Sequence, residues 1–332
     1  MAAEAHTERK PPATRTKARG GDLLRRYGLV VVWVAVIVFF SIARPDTFFT
    51  FANLQTIAGA QAVLVVITLG LIIPSTAGEF DLSVASVAGL SAVLIAWLAG
   101  VHGWPLGLAL LIAVCAGVVV GLVNGFFVVV IKVPSIIVTL GTGTLLGGIA
   151  VAVNNPTTSV GSTAFINATH NELLGIPLAF YYAVALTVLV WYVYSYTPVG
   201  RYLYFVGAGR DVARLAGLNV DRIRWGTFVA SGVFSALAGI LLAGWLGSAD
   251  PTIGPPFLLP AFAAAFLGST VVTPGRFNPV GSLIAAYFLV TGITGLQFMG
   301  LSGWIEQVFY GASLVLAVSF SNLLARRSGQ AI

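Results

Sequence analysis

Charge is what this chain has least of. Asp, Glu, Lys and Arg together make up 8% of its 332 residues, where a water-soluble domain carries about a quarter. A soluble enzyme is therefore excluded. Cysteine is nearly absent: Cys115, alone inside an apolar run, allows no intrachain disulfide and no CxxC pair for zinc or redox work. Lysine is confined to Lys10, Lys17 and Lys132. None of them closes a glycine-rich phosphate loop, so the chain has no Walker A route to ATP hydrolysis. Histidine is equally sparse. His6, His102 and His170 stand far apart, outside the apolar runs, and offer neither a metal cluster nor a Ser/His/Asp triad. The formal charge of +6 does not point to nucleic acid, because the basic tail residues Arg9, Lys10, Arg15, Lys17, Arg19, Arg25 and Arg26 are not interleaved with aromatic stacking residues.

What is abundant is apolar surface, at 58% of residues, laid out in runs of membrane-spanning length. Pro, Gly and polar punctuation divides the chain into runs at about 28–43, 54–74, 82–101, 105–131, 134–153, 178–196, 227–247, 257–271, 278–298 and 303–323. This predicts an all-α polytopic membrane protein with about ten spanning helices. The boundaries at 74–82 and 271–278 are soft, because Pro74, Gly78, Pro274 and Gly275 interrupt the helical pattern there. Positive charge orients the chain, since loops that stay in the cytoplasm retain Lys and Arg. With the tail inside, every Lys and Arg except Arg44 falls on the inner side. Both termini are then cytoplasmic. The expected organisation is a disordered basic tail at 1–27, a transmembrane domain at 28–325 and a second short tail at 326–332. The domain carries an external loop at 154–177 that lacks Lys and Arg and an inner loop at 197–226 that holds five arginines. Ser41 and Ala43 have the spacing of a signal-peptidase site, but the long charged segment and the many following runs favour a retained first helix.

Two places could carry mechanism. Glu79 and Asp81 sit at a break between apolar runs, where a carboxylate costs about 2.5–3.5 kcal/mol at mid-bilayer and needs water or a partner. Asp81 ahead of Leu82-Ser83 reads as a helix cap, as part of a polar pathway, or as a proton-coupling group. In the inner loop, Arg210 to Gly217 reads as two turns of helix with Asp211 early, Arg214 later and Gly217 as the stop. Val212, Leu215 and Ala216 share one face of it, a small apolar knob ringed by arginine that suits a groove on a cytoplasmic partner. The alternative is that the arginines only enforce topology and touch lipid headgroups. Glycines at four-residue spacing, Gly117, Gly121 and Gly125, then Gly143 and Gly147, predict close helix packing. Gly78-Glu79-Phe80-Asp81 and Gly275-Arg276-Phe277-Asn278 form a short internal match, and chance accounts for it as well as a repeat does.

At these residues the chain resembles the membrane-spanning permease subunits of bacterial ATP-binding-cassette importers for ribose, xylose, galactose and autoinducer-2 type sugars, over about 50–325. The permease pattern Gly-Gly-Ile-Asp-Leu-Ser-Val-Gly stands here as Gly78 to Ala85, with Glu79 and Phe80 for Gly and Ile. Asn124-Gly125, Lys132, Pro134 and Thr139 to Thr142 match a second fragment, and Gly200-Arg201-Tyr202 a third. A fourth is Gly209-Arg210-Asp211-Val212-Ala213-Arg214-Leu215-Ala216-Gly217, in which Asp211-Val212 stands for the commoner Glu-Ala. Leu267 to Thr270 stands where Gly-Gly-Thr is usual, and Pro255 to Pro260 lacks the acidic residues expected there. The resemblance implies that 209–217 is a coupling helix docking on a separate ATP-binding subunit. No cofactor is then held by this chain, and ATP belongs to that partner. It also implies a translocation path at the interface of two permease subunits, a homodimer or a pair of paralogues, fed by an extracytoplasmic sugar-binding protein. Glu79, Phe80, Asp81, Ser83, Asn124, Thr139 and Thr142 are the candidates for lining that path. Branched-chain amino acid permeases and ion-driven secondary transporters are the alternatives.

Overall fold

The fold is given by a computed structural model that describes residues 19–301 and 303–327. The described chain is helical almost throughout. Its helices are α1 (Arg19–Ala43), α2 (Phe51–Ala60), α3 (Ala62–Thr76), α4 (Val84–Ile95), α5 (Leu106–Gly125), α6 (Ser135–Val153) and α7 (Thr163–His170). They continue as α8 (Leu178–Tyr196), α9 (Pro198–Ala208), α10 (Arg210–Leu215), α11 (Val220–Leu246), α12 (Leu258–Gly268), α13 (Pro279–Phe298) and α14 (Trp304–Arg327). π-helical turns extend α4 over Ala96–Val101 and α5 over Phe126–Val130.

Each of the ten apolar runs forms helix. Among the described residues eight segments are long and apolar enough to cross a membrane, with α2 and α3 together making one of them. The other two runs give the shorter apolar helices Pro255–Gly268 and Trp304–Ser319. At 11 residues α12 extends about 16 Å, half of a hydrocarbon core about 30 Å thick. Several ends differ from the expectation. α11 begins at Val220, seven residues early, because the Asn219 side chain accepts from the Arg222 N–H at 3.0 Å and starts the helix inside the arginine loop. α1 reaches back to Arg19, so 19–27 is helical instead of part of a disordered tail; residues 1–18 and 328–332 of the two tails lie outside the described residues.

The core is arranged around α3. Every residue from Ala62 to Thr76 is buried, as expected of a helix that is apolar on all sides and enclosed by others. α11 packs along α3, α4 and α5, and glycines set the distance between these axes. A Cβ on Gly121 would lie 2.4 Å from the Phe228 carbonyl oxygen, and one on Gly117 would lie 2.3 Å from that of Gly232. Gly125 similarly makes room for the Trp225 ring. The predicted glycine spacing on α5 is thus a seam within the chain. On α6 only Gly143 meets a neighbour, at Ser86, whereas Gly147 has open space around it. α1 lies at the periphery, joined to α13 by a hydrogen bond from Trp33 Nε1 to Thr291 Oγ1 at 3.0 Å.

The two ends of the bundle differ in charge. At one end Arg26 donates to the Val272 carbonyl oxygen at 2.6 Å, Arg276 lies over the Tyr204 ring, and the arginine loop folds into α9 and α10. At the other end the loop 154–177, without Lys or Arg, pairs through β1 (Thr158–Ser159) with Ser248–Ala249 beyond α11. By the positive-inside rule the first end is cytoplasmic. The helical seam gives a direct test: Gly121→Ala should destabilise the protein by about 1–3 kcal/mol through overpacking, while Gly141→Ala, in open space, should be neutral or stabilising by up to about 1 kcal/mol. Thermal unfolding of the purified variants checks this, and equal effects at both positions would contradict the seam.

Candidate functional site

The site is built where the chain breaks between α3 and α4. α3 ends at Thr76, and Gly78 takes φ +78°, a left-handed turn that costs glycine little. The turn ties the Glu79 N–H back to the Pro74 carbonyl oxygen at 3.0 Å and leaves Phe80 and Asp81 beyond the end of α3. Glu79 is buried, with 4% of its side chain exposed, yet it carries a charge that the interior must balance. Two arginines from the inner loop do so. Arg210, at the start of α10, donates from Nη2 to Glu79 Oε1 at 2.6 Å and to the Gly78 carbonyl oxygen at 2.9 Å. Arg224, in the first turns of α11, donates from Nε to the same carboxylate oxygen at 2.8 Å, with Nη2 at 2.6 Å. Arg224 is 12% exposed and Arg210 is 42% exposed, so the bond to Arg224 is the better shielded of the two. Asp221 and Arg214 extend the chain of charges outward at 3.9 and 3.4 Å in exposed positions, where such pairs contribute little.

Two residues on, Asp81 is also buried but has no cationic partner among the described residues. Its Oδ1 accepts from the Ser83 N–H at 2.9 Å and from the Ser83 hydroxyl, and its Oδ2 accepts from the Ser231 hydroxyl of α11 at 2.8 Å. The capping reading of Asp81 takes the form of a turn that satisfies Ser83 just ahead of α4. The network continues from Asn124 Nδ2 to Ser83 Oγ at 3.0 Å, and from Thr142 Oγ1 to Asn124 Oδ1 at 2.7 Å. Thr139 Oγ1 accepts from the Leu82 N–H at 3.0 Å, and the Ser135 hydroxyl accepts from the Phe80 N–H. Thus Asp81 and Ser83 of the break, Asn124 of α5, and Thr139 and Thr142 of α6 are brought together, and α11 adds Ser231. The free amides of the break find their acceptors there, as buried backbone must. Phe80 stands apart, its ring 6.2 Å from that of Phe266 on α12.

The short internal match acquires a shared environment. Gly275 has φ +86°, Asn278 Oδ1 caps α13 by accepting from the Gly281 N–H at 2.6 Å, and Phe277 meets Phe266 edge-on at 5.2 Å.

α10 lies where the residue order predicted a helix. Its end is a paired C-cap: the Leu218 N–H reaches the Ala213 carbonyl oxygen at 3.1 Å, the Gly217 N–H reaches that of Arg214 at 3.0 Å, and Gly217 has φ +82°. Ala213 is fully buried and holds the helix down. Val212 and Leu215, 61% and 89% exposed, point away with Ala216 beside them. Arg210, Asp211 and Arg214 belong to the same helix, and Gly209 precedes it. Beneath it lies an open cavity of about 680 Å³, walled by Glu79, Lys132, Ser135, Arg210, Arg214 and Arg224. Sequence reasoning missed Arg224 and Ser231, because both lie in a helix whose face toward the break is fixed only by its packing. It also missed α9, whose Pro198, Gly200 and Gly207 read as loop punctuation. No cluster of metal-ligating side chains exists among the described residues.

The family model described as "Branched-chain amino acid transport system / permease component" matches residues 53–318. The ribose import permease protein of Haemophilus influenzae is 30% identical over 308 residues, covering 91% of this chain and 94% of that protein. The xylose transport system permease protein of Escherichia coli is 26% identical, covering 92% and 93% of the two chains. The autoinducer 2 import system permease protein of Salmonella paratyphi A is 28% identical, covering 89% and 91%. No solved structure matches.

The two arginines on Glu79 give a measurable expectation. Glu79→Gln leaves Arg224 shielded with only the distant, exposed Asp221 to balance it and should cost about 1–3 kcal/mol of stability. Arg210→Gln should cost less, since Arg224 still neutralises Glu79. The double variant should fall short of the sum of the two, as coupled neighbours do. Thermal unfolding of the three purified variants tests this, and strict additivity would show that the residues do not act as one unit.

Proposed function

The chain belongs to this family of transport permeases, as a multi-pass protein of the cytoplasmic membrane and not an enzyme, and we propose that it is the membrane-spanning subunit of an ATP-binding-cassette importer for a monosaccharide of the ribose or xylose type. The single observation that carries this reading is α10. A helix of six residues, presenting Val212 and Leu215 outward on the arginine-rich face and fastened by Arg210 to the break between α3 and α4, is shaped to receive force from a partner and deliver it inside.

In the proposed mechanism a separate ATP-binding subunit docks on 209–217. ATP-driven closure of that subunit moves α10. The displacement reaches Glu79 through Arg210, and through Arg224 it reaches the first turns of α11. A ligand or partner drives a conformational change only by favouring one state over another, and the polar network from Ser231 through Asp81 and Ser83 to Asn124 and Thr142 can tip the α3–α4 break between two such states. This chain performs no chemistry and holds no nucleotide. A second permease subunit, the same chain or a paralogue, completes the path, and an extracytoplasmic binding protein supplies the sugar. On this reading Glu79, Asp81, Ser83, Asn124, Thr139 and Thr142 position the moving break, with Phe80 as its apolar contact on α12. The pathway runs alongside this break.

The family description favours one alternative cargo, a branched-chain amino acid. The sugar reading takes precedence because the ribose, xylose and autoinducer-2 permeases each align with about nine-tenths of the chain. Uptake of labelled ribose, xylose and leucine by the reconstituted complex separates them. For the docking element, Leu215→Glu should abolish co-purification of the ATP-binding subunit and ATP-driven uptake while leaving membrane insertion unchanged. Arg214→Glu and Gly217→Asp should abolish uptake as well. Uptake at the wild-type rate in all three variants would overturn the assignment.

A further inference from the structure

Seven charged side chains line the cavity of about 680 Å³ beneath α10, and five of them are matched. Glu79 takes Arg210 and Arg224, and Asp221 takes Arg214 and Arg224. Lys132 and Asp211 are left. Among the described residues the side chain of neither forms an ion pair or a hydrogen bond. The two have opposite sign and stand on different walls. Asp211 belongs to the first turn of α10, whereas Lys132 lies in the turn between the π-helical end of α5 and Pro134, which caps α6.

Lys132 holds its position under strain. Its φ of +64° is left-handed, a region that glycine enters freely and lysine does not. Strained residues of this kind gather at switch regions. The other wall has the means to move, because α10 is only six residues long, with Gly209 before it and Gly217, at φ +82°, after it. Taken alone, Asp211 is a negative charge suited to the start of a helix. That role leaves Lys132 unexplained.

We propose that Lys132 and Asp211 form a latch, open in this state and joined when the ATP-binding subunit presses α10 toward the α5–α6 turn. The inference rests on the reading of α10 as the docking element, and it supplies the contact that favours the second state. In the open cavity both side chains are exposed to water, where an ion pair contributes little. As the walls approach and water leaves, the attraction between opposite charges grows several-fold. The gain therefore falls on the closed state alone, which is what biases a two-state element. Sign matters as well. Without Asp211, closure would carry Lys132 toward a wall of three arginines and two carboxylates, a face that is net positive and repels it. α10 pivots on the bond from Arg210 to Glu79 as it closes, so the tie and the latch act on one short helix.

Charge exchange in the reconstituted complex, with its ATP-binding subunit, tests the latch through the solute imported per ATP hydrolysed. Lys132→Glu and Asp211→Lys should each lower that ratio about two- to fivefold, the scale of one exposed ion pair, and the double variant should recover most of the loss. Such recovery is not available to a helix-start charge, to a lipid phosphate held by Lys132, or to an acidic residue of the partner. Lys132→Gly suits the backbone at φ +64° and keeps the fold, checked by its unfolding temperature, while lowering the ratio in the same way. A second measurement pairs Lys132→Cys with Asp211→Cys on a Cys115→Ser background. Oxidation should join the two cysteines in one condition only, nucleotide-free or vanadate-trapped. No recovery in the double variant, or equal cross-linking in both conditions, overturns the latch while the wild-type complex still imports solute. Co-purification and uptake that survive Leu215→Glu overturn the docking of α10 on which it rests.

Discussion

The fold turns on one buried carboxylate. Glu79 sits in a break that backbone geometry forces between two apolar helices, and it is tolerated there because Arg210 and Arg224 meet it from α10 and α11. The desolvation cost of a charge in such a place amounts to several kcal/mol, so the partners are not optional. The consequence is mechanical. The inner loop cannot swing freely, because one of its arginines is fixed to a point within the bundle and another anchors the base of α11. A surface element that would otherwise hang from two flexible joints is tied to the interior at 2.6 Å.

That tie matters for its position. Directly beyond Glu79, the break is held by side chains from three helices, α5, α6 and α11: Ser135 and Thr139 on the amides of Phe80 and Leu82, Asn124 on the Ser83 hydroxyl, and Ser231 on the Asp81 carboxylate. Bonds of this kind can be exchanged one for another at small net cost, since each is worth about 0.5–1.5 kcal/mol net. The rest of the core has no such latitude. α3 is sealed on all sides, and the α5–α11 seam is closed by glycines with no room for a methyl group. A rigid frame around one polar, rearrangeable break suits the alternating access proposed for this chain.

Much of this could be read from residue order. Periodicity and length located all ten apolar segments, because burial in a bilayer constrains composition strongly. The placement of Lys and Arg oriented them. α10 was legible because its signals are local: Asp211 early, Arg214 late, Gly217 as the stop, and an apolar face at Val212 and Leu215. The site polar residues were also visible one by one, as Asp81, Ser83, Asn124, Thr139 and Thr142 stand out in an apolar background. Their pairing was not. Arg210 and Arg224 lie 131 and 145 positions from Glu79, and no local pattern says which of five loop arginines will reach it. Ser231 was hidden for the same reason, as one small polar residue among several on α11.

The central claim is that work enters through the inner loop and reaches the break by way of Glu79. Its most direct test is the ratio of solute imported to ATP hydrolysed by the reconstituted complex, wild type against Glu79→Gln. The account predicts that the variant keeps its ATP-binding subunit and goes on hydrolysing ATP while importing less solute for each ATP consumed, with Glu79→Asp recovering part of the loss. An unchanged ratio in Glu79→Gln would contradict it.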